Sequence, residues 1–110
     1  MAIMGIPFTV TDWSRVPPTE HKGDTGTSFW RTQEAGPLRV RLVEYRPGFR
    51  ADHWCGRGHI VYVVDGKLQV DLRNGQRYVL MAGMSFAVGD DEGNPHLVHT
   101  ETGARAFIVD

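Results

Sequence analysis

The chain has 110 residues, 41% of them hydrophobic, and a formal net charge of −1 from 12 basic and 13 acidic side chains. That size supports one domain with one modest core, and charge this evenly spread offers no basic stripe for nucleic acid. No apolar run approaches the roughly 20 residues that cross a bilayer, no basic-then-apolar leader opens the chain, and the single cysteine excludes an internal disulfide, so the expectation is a cytoplasmic protein with no membrane partner.

Residues 1–26 are the least regular part and read as an arm that packs on the domain formed by residues 27–110. Val16-Pro17-Pro18 forbids a helix there, and His21 lies in a polar, glycine-punctuated stretch that reads as a solvated loop. Ser28 to Gln33 reads as the first clear strand, with Ser28, Trp30 and Thr32 on one face and Phe29 and Arg31 on the other. Leu38 to Tyr45 alternates cleanly, which places Leu38, Val40 and Leu42 inward and Arg39 and Arg41 outward. Ile60 to Val64 is an unbroken apolar run suited to a strand covered on both faces. Asp65-Gly66 and Asn74-Gly75 are both strong two-residue hairpin signals, flanking a strand from Lys67 to Arg73 that turns Leu68, Val70 and Leu72 to one side. Arg77 to Met81, Met84 to Val88 and Ala104 to Val109 supply further strands, with a loop from Gly89 to Pro95. Seven or eight short strands at turn spacing, with no capped helical period, predict an all-β sandwich or barrel.

The chemistry concentrates in Ala51-Asp52-His53-Trp54-Cys55-Gly56-Arg57-Gly58-His59. On a strand, His53 and Cys55 share one face and Trp54 takes the other, while the Gly56-Arg57-Gly58 bend returns His59 towards them. Imidazole and thiolate together suit zinc, iron or copper rather than magnesium or calcium. Cys55 has three readings: a ligand, a small buried hydrophobe, or a thiol of lowered pKa acting as nucleophile or redox group. Arg57 is either a solvated bend residue or a group that orients an anionic substrate through a bidentate contact. Trp54, Tyr62, Met84 and Phe86 read as core or mouth-lining residues.

The order of these pieces resembles the cupin superfamily, small β-barrels of the double-stranded β-helix, jelly-roll-like type. Its first motif runs glycine, His-x-His, Glu, glycine; here Gly48, His53, Cys55, His59 and Gly66 fall on nearly that frame, with Cys55 in the place of the second His and His59 in the place of the Glu. Its second motif runs glycine, Pro-x-Gly and a later His, and here Gly75, Met81-Ala82-Gly83 and Asn94-Pro95-His96 follow that order, with Met81 in place of the Pro. The string Asp52-His53-Trp54-Cys55 also resembles the small cupin-fold family named for a motif of Asp, His, Cys and Trp, whose members carry no activity over to this chain.

The resemblance implies one divalent transition metal, held by His53, His59 and His96 with Cys55 as a fourth ligand or a catalytic thiol. Three His and a Glu leave such a site at a net charge of +1, and three His with a Cys thiolate leave the same, so compensation moves from a hard oxygen to a soft sulfur. His99, three residues beyond His96, falls on the opposite strand face and reads as a supporting or surface residue. The functional expectation is therefore a metal-dependent protein acting on a small molecule as a dioxygenase, isomerase or hydrolase. The alternatives are a non-catalytic binding or sensing module and a metal-free Cys-His hydrolase. Exposed sheet edges at Ser28 to Gln33 and the arm before it predict a homodimer.

Overall fold

The structure, a computed structural model, describes residues 3–110, so the first two residues of the expected 1–26 arm lie outside it. Eight strands run in chain order: β1 (Thr19–Lys22), β2 (Thr27–Ala35), β3 (Leu38–Tyr45), β4 (His59–Leu72), β5 (Arg77–Met81), β6 (Ser85–Val88), β7 (His96–His99) and β8 (Ala104–Val109). Every pairing is antiparallel. The one helical turn among the described residues is a 3-10 turn, Trp13–Arg15, capped by Asp12, whose carboxylate accepts from the Ser14 amide at 3.1 Å. The all-β expectation holds.

Two sheets meet on β4. Its first half pairs with β8 and β6, extending the order β1-β2-β3-β8, and its second half pairs with β5 and β7. The crossing point is Asp65-Gly66, which is not the hairpin turn expected from the dipeptide. β4 runs straight through it, with a register shift against β8 between Val63 and Asp65. Gly66 has φ +77°, the conformation a hairpin turn also needs, but here it is paired with Ala104 just past the irregularity at Val64, where the strand passes from one sheet into the other. A Cβ there would collide with the Gly103 carbonyl oxygen of β8's approach, so glycine is required by packing as well as by φ. Asn74-Gly75 does turn a hairpin, between β4 and β5, with Gly75 at φ +98° and its amide bonded to the Leu72 carbonyl at 3.0 Å.

The core lies between the sheets. Val43, Val63, Leu68 and Ala106 are fully buried, joined by Val61, Val70, Leu80, Leu97, Ala104 and Ile108. Each large aliphatic here contributes about 1.5–3 kcal/mol relative to leaving it in water. Lys67 to Leu72 turns Leu68 and Val70 inward as its alternation predicts.

β3 corrects the sequence reading. Its buried positions are Arg41, Val43 and Tyr45, so the arginine face looks inward and Leu38, Val40 and Leu42 lie on the outer side. The outer side is not bare. Leu42 pairs with Phe107 of β8, and Trp13 from the arm meets the Phe107 ring edge-on at 6.1 Å. The arm also fixes Arg31, whose Nε donates to the Val16 carbonyl at 3.0 Å. Apolar residues can therefore face outward on β3 because another segment covers them, while a cavity on the inner side accepts the guanidinium. Ile60 to Val64, expected to be covered on both faces, is covered on one only: Val61 and Val63 are buried, whereas Ile60, Tyr62 and Val64 are 48%, 46% and 38% exposed.

His21 falls in β1 rather than in a loop, paired opposite Ser28, and its ring stacks on Trp30 at 3.7 Å. His96 follows the loop from Gly89 to Pro95 as the first residue of β7.

Candidate metal centre and its cavity

A cavity of about 780 Å³ opens between the sheets, and its lining includes Cys55, His59 and His96 together with Arg41, Tyr45, Val61, Phe86 and Ile108. His59 opens β4 and His96 opens β7, so the two imidazoles come from strands of different sheets. Cys55 is brought alongside by an isolated bridge to His96, with amide-carbonyl bonds of 2.7 and 2.9 Å in the two directions. One ligand atom from each of Cys55, His59 and His96 lies within 4.8 Å of the others.

His53 does not join them. Ala51 to Cys55 is bent at Asp52 and His53 rather than extended, so the strand rule that would put His53 and Cys55 on one face has no strand to act on. The His53 side chain is 74% exposed, and its Nδ1 is 2.7 Å from the Asp52 carboxylate. His99 lies on the far face of β7, with Nε2 3.2 Å from Asp71, as its spacing from His96 predicts. Phe86 packs against both His59 and His96, Trp54 lines the cavity and lies under the Arg73 guanidinium, and Tyr62 and Met84 are exposed.

The two imidazoles meet edge-on, with their Nε2 atoms 2.7 Å apart. On the other side of His59, Nδ1 lies 3.3 Å from Asp110 Oδ2. A carboxylate only accepts, so His59 carries its proton on Nδ1, and its Nε2 lone pair accepts a hydrogen bond from His96 Nε2–H. This is the arrangement in which a carboxylate orients a metal-ligating histidine from behind. Burial pushes the His96 pKa down to about 4, with the neighbouring His59 acting in the same direction. Burial also lowers His59, opposed by its bond and attraction to Asp110 and assisted by the charges of Arg41 and Arg57. Both rings are therefore neutral at pH 7, the state that binds a metal.

The donor set fits a transition metal. One sulfur and two imidazole nitrogens are borderline-soft ligands suited to zinc, iron(II) or copper. Two imidazole nitrogens on one tetrahedral zinc are about 3.3 Å apart, so this pair would separate by about 0.6 Å and exchange a mutual hydrogen bond for two metal bonds. No hydrogen bond joins Cys55 Sγ to either imidazole among the described residues; its polar neighbour is the Arg57 carbonyl at 3.9 Å.

Asp110 is the residue that sequence reasoning missed. Its carboxylate is 1% exposed, accepts from Arg39 Nε and Nη2 at 3.0 and 2.9 Å and from Arg41 Nη2 at 3.2 Å, and lies 3.5 Å from Arg57 Nε. Burial alone would raise its pKa; the Arg39 bond and the charges of Arg41 and Arg39, helped by His59, outweigh burial and hold it at about 2. Arg39 and Arg41 were missed with it, since an arginine alternating with leucine reads as a solvent-facing residue.

No protein-family profile and no curated protein matches the chain. Solved structures do. An RmlC-like cupin from Shewanella frigidimarina superposes with a TM-score of 0.74 at 19% identity, over 96% of this chain and 92% of that one. A predicted oxalate decarboxylase from Thermotoga maritima gives 0.75 at 18% identity, over 92% and 96%. Fe(II)-HppE with an alternative substrate gives 0.73 at 13% identity, over 94% of this chain and 60% of that one. These likenesses lie in the barrel, and this chain has the cupin fold.

Proposed function

We propose that the barrel binds one divalent transition metal through Cys55, His59 and His96 and serves the chemistry of a small molecule held in the cavity. The observation that carries this reading is the convergence of one sulfur and two neutral imidazoles within 4.8 Å, with a carboxylate behind one of them, in the wall of a cavity large enough for a metabolite. A fold neighbour that holds iron(II) supports it. Three protein ligands leave a coordination position open, the feature that separates working zinc sites from closed structural ones. When bound, the metal supplies Lewis acidity, or one-electron chemistry if it is iron or copper. The chain's own residues do the rest. Asp110 holds the His59 proton on Nδ1 and keeps Nε2 available as a ligand. Phe86 packs against both rings and shields them from bulk water.

The test is metal content by elemental analysis, on protein purified without added metal and again after dialysis against zinc. One equivalent is expected in the parent and in His53→Ala, and about tenfold or greater loss in His59→Ala and His96→Ala. Retention of metal by His96→Ala, or its loss in His53→Ala with the fold intact, would overturn the assignment. Cys55→Ser distinguishes a ligand, which loses metal, from a thiol that acts beside the metal.

A further inference from the structure

Arg41 is the cavity residue that the metal centre leaves without a task. Its side chain is 6% exposed and lies over the Trp30 ring at 4.4 Å. A guanidinium has five N–H donors. Among the described residues Arg41 bonds from Nη2 to Asp110, and its buried Nε has no partner. Arg39 and Arg57 reach the same carboxylate, so three guanidiniums share a single buried anion. The carboxylates that line the cavity, Glu20, Asp52 and Glu92, are exposed, and two of them are engaged elsewhere, Glu20 with Thr27 and Asp52 with His53. The surroundings of Arg41 are thus short of negative charge.

The surrounding residues describe the missing partner. Tyr45 lines the same space; burial pushes its pKa up to about 12, so its hydroxyl is a neutral donor at any ordinary pH. Val61, Phe86, Leu97 and Ile108 make the adjoining wall apolar. An acceptor that satisfies Arg41 and also fills such a wall carries an anionic head on an apolar body, which inorganic phosphate does not.

We propose that Arg41 anchors an organic-anion subsite: the cavity takes a small carboxylic acid, its carboxylate paired with Arg41 and its apolar body against Val61, Phe86 and Ile108. Asp110 Oδ2 touches both Arg41 and His59, so the bound acid lies one carboxylate away from the metal ligands. The proposal rests on the small-molecule reading above for the use made of the acid, while the subsite itself needs no metal.

The experiment pairs acids with their uncharged amides. Phenylacetate, 3-phenylpropanoate, hexanoate and glutarate, each beside its primary amide, and inorganic phosphate are titrated into chelator-treated and zinc-loaded protein by calorimetry. At least one acid is expected to bind both forms about tenfold or more tighter than its amide, as a charge-assisted guanidinium bond requires. Arg41→Gln should weaken that acid by a similar factor without affecting zinc content, because Arg39 still holds Asp110. Arg41→Lys, which keeps the charge but not the fork, should fall between. If Arg41→Gln does not fold, the Nε–H resonance of Arg41 in unaltered protein gives the same answer, since a bound acid must shift it. Equal binding of acids and amides, binding of phosphate alone, no binding by any acid, or an unmoved Nε–H signal would each overturn the subsite. Failure of the metal reading looks different: acids bind while zinc does not.

Discussion

Asp110→Asn removes the one charge that reconciles the inner cavity with its arginines. Asp110 is 1% and Arg41 6% exposed by side chain, so neither can turn to solvent when the other is neutralised. Removing one partner of such a pair costs about 3–5 kcal/mol, chiefly because the surviving charge stays buried and unpaired. Asn keeps a carbonyl acceptor, and Arg39, more exposed at 29%, recovers some hydration, which places the expectation near the lower end, at about 3 kcal/mol. For a chain of this length that lowers Tm by about 12 °C or more. Zinc affinity should fall about 10- to 100-fold in the same variant, because His59 loses the carboxylate that fixes its tautomer. Urea unfolding followed by tryptophan fluorescence measures the first effect, and competition with a chromophoric chelator the second. Replacing both residues, as Arg41→Met with Asp110→Asn, should recover part of the lost stability, since the stranded charge is gone. If Asp110→Asn unfolds within about 0.5 kcal/mol of the parent, a change typical of ordinary surface sites, the carboxylate is not the buried hub described here.

Gly66→Ala should destabilise the fold by about 1–3 kcal/mol, measured by the same urea curves, because a side chain at φ +77° is strained and meets the Gly103 carbonyl; a neutral effect would mean that β4 does not bend there as described. Tyr45 has its pKa raised to about 12, first by burial, so the folded protein holds the phenol proton after the unfolded chain has lost it. Its contribution is constant below about pH 10 and stability falls as pH rises from there towards 12, a trend that Tyr45→Phe should reduce. The phenolate absorbance lost in Tyr45→Phe should have its midpoint near 12, and a midpoint near 10 would show the ring to be solvated. We also expect a homodimer. β1 covers β2 at Thr27 to Trp30, so the edge expected at Ser28 to Gln33 is largely closed; the exposed Ile60, Tyr62 and Val64 face of β4 offers the candidate contact instead, and sedimentation should give twice the 12.3 kDa chain mass, reduced to one chain by Tyr62→Lys. A 12.3 kDa species at micromolar concentration would reject the dimer.

The strands of this barrel are legible from alternation and turn residues because both are local: β3, β5 and β8 fall where the period-two pattern puts them. Alternation also groups side chains correctly, so that Arg39 travels with Arg41, and Leu38 with Val40. It does not say which group faces inward. That depends on what lies above each face, and only folding brings Trp13 and Phe107 over the outer side of β3 and opens a cavity on the inner side. Gly66 shows the same limit, since positive φ serves a turn or a continuing strand equally and the choice belongs to β8, whose Ala104 pairs with it. Cys55, His59 and His96 could be named from ligand chemistry, but that His53 stands apart from their cluster follows from the bend at Asp52. Asp110 carried no local signal at all. It stands 51 positions from His59 and 69 from Arg41, and sheet pairing alone sets its carboxylate against both.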